Sequence, residues 1–288
     1  MDIIEFLLPP LIASFLLIGI TVYFGIHVIK REIIFIDIAL AQIAALGVAV
    51  AHVLNESFFS QHYHTHGSGE SDLFAYTLSI IFCTLAALLF TLLKNKAVKI
   101  PLEAIIGITY AVATCGAVII YDTGAGGDVH VQEMLTGAIL WTSWDQIIRL
   151  FIVFGTIGVF HIVFRRKFVM ITSKYADSDA EGNGSKIWDF LFYFTFGIVI
   201  VEAVRICGII TVFAFLIIPA SISALLATSW IHRILIGLGI GVIVSIIGLY
   251  ITWIKDMPCS PIFIILLGVS LIIVVVFRWL RSIIQAKT

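Results

Sequence analysis

The sequence predicts an all-α, polytopic membrane protein with about nine membrane-crossing helices. Composition gives the first reason: 61% of the 288 residues are hydrophobic and only 12% are charged, against roughly 25% charged in soluble proteins. The second is the length of the apolar runs. A hydrocarbon core of ~30 Å takes ~20 residues of helix, and lipid offers backbone N–H and C=O groups no partner, so such runs must be helices or a closed barrel. They far exceed the ~10-residue alternating segments of a membrane barrel. The third is that Lys and Arg gather in alternate breaks between the runs.

In chain order the predicted helices cover residues 6–29, 33–54, 73–93, 101–121, 147–164, 187–204, 208–228, 234–254 and 261–279. The apolar piece 131–144 is too short to cross and reads as re-entrant or interfacial. Lys30 and Arg31 share one break, Lys94, Lys96 and Lys99 another, and Arg165, Arg166 and Lys167 a third. Arg233 lies in a fourth, and Arg278, Arg281 and Lys287 close the chain. With nine crossings all of these fall on one side, which the preference of cationic loops for the cytosol makes the inside. The N-terminus is then outside and the C-terminus cytoplasmic, with Arg205 and Lys255 as the basic residues that fit least easily. Met1–Glu5 carries no basic residue, so a cleaved signal peptide is not expected. No block could bury a soluble core, so residues 1–288 read as a single transmembrane domain. The net charge of −1 and the lack of a long basic tract give no reason to expect nucleic acid as a partner.

This topology gives the outside a histidine-rich loop, residues 55–72, and the inside a polar loop, residues 165–186. The outer loop holds His62, His64 and His66 at alternate positions, near Glu56, Glu70 and Asp72. Imidazole and carboxylate suit zinc and similar first-row ions. Three of the eight histidines within five residues favour metal capture over a merely polar loop.

Asp37 and Gln42 lie inside the second span. An ionisable group there costs ~2.5–3.5 kcal/mol on insertion scales and is a functional candidate by default; for Asp37 a carboxylate snorkelling inward is the alternative. Five residues apart on a helix is about 140°, so the two do not share a face. His52, near the outer end of that span, reads first as an interfacial histidine and second as the lining of an entrance. Glu103 suits a helix start, and Glu202 and Arg205 are spaced for an i,i+3 ion pair. His27, His161 and His232 sit near the inner boundary and receive no ligand role. Gly237, Gly241 and Ser245 form a small-residue stripe that signals close helix packing, with a subunit seam as one candidate place for it. Pro219 favours a mid-span kink. The four cysteines are far apart and read as small buried hydrophobes.

No phosphate-binding G-x-x-x-x-G-K-[ST], no H-E-x-x-H and no G-x-S-x-G is present, so no enzyme signature is read in the chain. Uphill transport would draw on a gradient or on another chain.

Several segments, in order, carry a family resemblance. Val204–Ala220, VRICGIITVFAFLIIPA, resembles the "VRVVGVLLVFALLIIPA" core of ABC-type zinc/manganese/iron importer permeases. Gln132–Leu140 is similar to that family's "LLFGSIL" stretch, Glu103–Ala111 to its "EAxIGIxYA" stretch, and Lys30-Arg31 with Ile36–Gly47 to its "RR…DALxHxxLPG" segment. The resemblance implies the membrane subunit of an ATP-driven importer of a divalent transition metal (zinc foremost, or manganese or iron) as substrate, with no intrinsic cofactor. It implies as partners a second copy of the chain (a homodimer), cytoplasmic ABC ATPases and an extracytoplasmic solute-binding protein. It also matches residues 173–185, with Asp177, Ala180, Glu181 and Gly182, to the family's "D-x-x-x-A-x-x-x-G" segment, the ATPase contact. One departure stands out. The family often carries an intramembrane Asp and His four apart; aligned on Asp37, the histidine position holds Ala41, and aligned on Gly47 it holds Gln42 while Ile38 replaces the Asp. The metal candidates are therefore His62, His64, His66, Asp37, Gln42 and His52. A gradient-driven secondary transporter of a metal or other small solute is the alternative, weakened by the scarcity of deep carboxylates and of a visible repeat.

Overall fold

The structure, a computed structural model, describes residues 3–59, 68–94, 100–122, 137–173 and 183–285. These form helices α1 (Ile3–Lys30), α2 (Ile36–Phe59), α3 (Ser68–Leu93), α4 (Leu102–Asp122), α5 (Trp144–Val163), α6 (Arg165–Ser173), α7 (Asn183–Cys207), α8 (Ile209–Leu226), α9 (Trp230–Lys255) and α10 (Cys259–Gln285). Among the described residues nine helices are long and apolar enough to cross a bilayer. Every predicted span has its helix, and the protein is all-α as the apolar runs required.

Three local differences have physical reasons. Residues 165–186 were expected as a loop, yet Arg165–Ser173 is helical: Phe168, Ile171 and Thr172 are buried at helical spacing, a face that three leading cations concealed. Trp144 belongs to α5, and the described part of the short apolar piece before it is a single 3-10 turn, Ile139–Trp141. Arg205 lies within α7, which ends only where Gly208 adopts φ 76°, a conformation that glycine takes without steric cost.

The chain divides into two compact units. The first comprises Met1–Lys30, Thr136–Ile162 and Ile206–Thr288. In it α1 packs on α8 and α9, and α8 packs on α9 and α10. Small residues make these approaches possible, because in lipid helix association depends on close packing rather than on the exclusion of water. Gly25 of α1 faces the backbone of Leu216 and the Cβ of Ala220, Gly237 faces Val22, Gly241 faces Ile18, and Gly248 faces the ring of Phe263. The small-residue stripe of α9 is thus occupied within the chain, by α1 and α10, and is not left over for a subunit seam. Pro219 sits inside an unbroken α8, where its missing N–H leaves the Phe215 carbonyl without its usual helical donor. At the start of α1 the Phe6 ring meets Trp141 and Trp253 at 6.0 and 5.4 Å. At the other end of α1 the Lys30 ammonium lies 4.3 Å from the centre of the Trp230 ring. The Phe6–Trp141–Trp253 cluster and the Lys30–Trp230 contact therefore lie at opposite ends of α1.

The second unit comprises Arg31–Leu135 and Val163–Arg205. Here α2 packs on α3 and α4. Gly47 lies against the backbone of Leu78 and Ser79, and Gly116 of α4 against Leu46. The Ser79 hydroxyl donates to the Ala44 carbonyl across the α2–α3 seam at 3.1 Å. Gly197 of α7 faces Cys83 and Leu40. These contacts make α2 the central helix of the unit.

Candidate functional site

The α2 helix carries the three candidate residues that the structure describes within a span. Asp37, in the first turn, is 2% exposed. An acidic group suits this place at a helix start. The Asp37 Oδ1 has no hydrogen-bond partner among the described residues. Asp37 is enclosed and does not reach solvent, which leaves one buried acceptor oxygen at the start of α2. Gln42 is half-buried and His52 is exposed. With a rise of ~1.5 Å per residue, Asp37 and Gln42 are ~7 Å apart along the axis and His52 lies ~15 Å further on. Asp37, Gln42 and His52 thus cannot hold one ion together; they mark three levels along one helix. Among the described residues no three His, Cys, Asp or Glu side chains come together as a metal site. His62, His64 and His66, and Asp177, Ala180, Glu181 and Gly182, lie outside the described residues.

Glu202 is fully buried, but not through an ion pair with Arg205. The Arg205 guanidinium lies over the ring of Tyr76, 5.3 Å from its centre, and the expected i,i+3 pair gives way to a cation–π contact across helices. His27 and His161 are buried in the first unit. The Tyr23 hydroxyl is 3.1 Å from His161 Nδ1, and the Tyr23 ring also packs against His27. Cys83, Cys207 and Cys259 are buried and free, as small hydrophobes should be, while Cys115 is exposed.

The ionic centre that sequence reasoning missed lies where α1 joins α2. Arg31 has a fully buried side chain and pairs with Asp189 of α7 at 2.9 Å, and Lys94, just past α3, pairs with the other carboxylate oxygen at 2.7 Å. The signal was present: Asp189 interrupts the apolar run Ile187-Trp188-Asp189-Phe190-Leu191, and a carboxylate inside a span calls for a cationic partner. Which cation answers it could not be read from a chain in which Arg31 is 158 positions away.

A model of the ABC 3 transport family matches residues 3–278. The chain belongs to that family. It is a multi-pass protein of the cell membrane and a permease of the metal-transporting ABC type, not a member of a catalytic family. Among its relatives, the Haemophilus influenzae protein named "Probable iron transport system membrane protein" is 21% identical over 252 residues, spanning 88% of this chain and 83% of that one. The manganese import system permease ScaB of Streptococcus parasanguinis is 26% identical over 228 residues, spanning 79% and 74%. Of solved structures, PsaBC from Streptococcus pneumoniae in complex with Fab superposes with a TM-score of 0.74 at 21% identity, covering 93% of this chain and 90% of that one. An ABC transporter described as metal-chelate type, in an inward-facing conformation, gives 0.68 at 14% identity, covering 93% and 85%. At such identities these two structures speak for the fold of this family permease.

Proposed function

We propose that the permease is the membrane-spanning half of an ATP-driven importer of a divalent transition metal. It works as a pair with a second copy, with cytoplasmic ATPases beneath and an extracytoplasmic metal-binding protein above. The observation that carries this reading is Asp37: a buried carboxylate on the central helix of one unit, with an oxygen that no described residue uses, in a family permease whose relatives bear the names of iron and manganese systems. A hard oxygen donor of this kind suits iron and manganese, and imidazole suits zinc and its neighbours, so zinc, iron and manganese all remain substrates to test. Gln42 and His52 extend the same helix toward the outside. The N-terminus is outside and the basic helix ends face the cytosol; the clustering of Arg31 and Lys94 in one unit, and of Lys30 with Trp230 in the other, supports that orientation. Asp177, Ala180, Glu181 and Gly182 belong to the ATPase contact.

Reconstituted with its ATPase and binding protein, the permease should take up at least one of manganese(II), iron(II) and zinc(II), with ATP hydrolysis stimulated by the same ion. Complete indifference of ATP hydrolysis to all three would refute the reading. The residues His62, His64 and His66 act as a capture device at the outer face. Replacing all three with alanine should lower uptake several-fold at limiting metal, since each lost imidazole removes a ligand, and leave uptake at saturating metal unchanged. Uptake equal to the unmodified protein at every concentration would remove that role.

A further inference from the structure

Arg31 binds two helices at once. Its Nε donates to the Thr172 hydroxyl of α6 at 3.0 Å, and its Nη1 donates to Asp189 Oδ1 of α7 at 2.9 Å. Its guanidinium lies over the ring of Phe192, 3.9 Å from the centre. Lys94 Nζ donates to the remaining oxygen, Asp189 Oδ2, at 2.7 Å. Phe192 belongs to an aromatic cluster: Phe168 of α6 packs edge-on against Trp188 of α7 at 5.4 Å and meets Phe192 at 6.4 Å. All of these residues belong to the second unit.

Their places in the chain give the arrangement its meaning. Thr172 is two residues before, and Asp189 seven residues after, the stretch 174–182 that joins α6 to α7. Arg31 in turn stands five residues ahead of Ile36, where the Asp37-bearing helix begins. One guanidinium therefore connects both helices flanking that stretch to the start of α2. Taking such charges out of water costs several kcal/mol per ion, and a well-packed apolar substitute is often as stable. Stability is a weak reason for burying Arg31. Planar, directional bonds to two helices hold a geometry that apolar packing would let slide.

We propose that Arg31, Asp189 and Lys94 form a positioning clasp that ties α6 and α7 to the start of α2, so that displacement of those two helices moves α2. Asp189 is the shared anchor. This rests on the functional reading above. It names the residues through which a stroke delivered at the ATPase contact would reach the Asp37 level.

The test uses the full complex in proteoliposomes and reads metal taken up per ATP hydrolysed, with manganese(II), iron(II) and zinc(II) as probes. A defect in folding or assembly lowers uptake and hydrolysis together; a defect in the clasp lowers their ratio. With the ATPase still co-purifying, Asp189→Asn should lower the ratio by about tenfold, within the usual range of coupling between sites. Lys94→Gln removes a part-exposed partner that folding tolerates, and should lower it by about threefold, because such a pair is worth less than a buried one. An unchanged ratio in Asp189→Asn overturns the clasp. If Asp189→Asn does not assemble, an unchanged ratio in Lys94→Gln overturns it. A wild-type complex that takes up none of the three ions defeats the functional reading first and the clasp with it, so the two failures are told apart by which protein fails.

Discussion

Arg31→Ala should destabilise the protein by about 3 kcal/mol, the low end of the cost of breaking a buried ion pair. Three contacts go at once: the bonds to Asp189 and Thr172 and the stacking on Phe192. The low end applies because Asp189 keeps Lys94 on its second oxygen and is not left wholly uncompensated. The double variant Arg31→Met with Asp189→Leu should recover most of the loss, since matched apolar residues remove the desolvation cost together with the attraction. Lys94, whose side chain is 30% exposed, can then turn to solvent. Thermal unfolding in detergent, followed by the loss of the monodisperse peak on gel filtration, measures both. Wild-type stability in Arg31→Ala would show that the clasp bears no weight in the fold.

Gly25→Ala should destabilise the first unit although it improves helix propensity. The added Cβ would run into the Leu216 carbonyl oxygen and stand 3.0 Å from the Ala220 Cβ. The carbonyl is backbone and cannot swing aside, so α1 must move off α8. Overpacking of this kind costs about 1–3 kcal/mol, while exchanging Gly for Ala in a helix interior gains about 1 kcal/mol. The clash should win, and by more than the local term, because Gly237 on Val22 and Gly241 on Ile18 depend on the same placement of α1. Gly19 supplies the control. It lies on another face of the same helix, with nothing within 4 Å of an added Cβ, and Gly19→Ala should be neutral or slightly stabilising. The same unfolding measurement on both variants should return opposite signs; destabilisation of equal size at both would mean that propensity and packing had been misjudged.

The spans were legible because each satisfies its own backbone and needs only length and hydropathy to declare itself in lipid. The α6 helix was not, because Phe168, Ile171 and Thr172 make a buried face of three residues behind three cations, too short to show a period. The Glu202–Arg205 pair failed for a different reason. Helical spacing permits a contact, but Tyr76, on another helix, offered Arg205 a better one, and spacing within one element cannot see across to another. The seam reading of the Gly237, Gly241 and Ser245 stripe failed in the same way: the pattern announces close packing without naming the partner.

The site was read in part. Asp37 was singled out by the cost of a carboxylate within a span, and the structure encloses it. That Asp37, Gln42 and His52 stand at three levels follows from helix geometry alone. Arg31 and Asp189 escaped because Arg31 was grouped with Lys30 as a loop cation, while Asp189, two residues inside the predicted span 187–204, was not singled out.

By itself the sequence determined that this permease is a helical membrane protein, where its spans run and to which family it belongs, since hydropathy and motif order are properties of the chain taken one segment at a time. Only the tertiary structure decided which cation answers Asp189, which helices fill the glycine stripe and which carboxylate is enclosed. Those are pairings between segments far apart in the chain, selected by which side chains can reach and satisfy one another once water is gone.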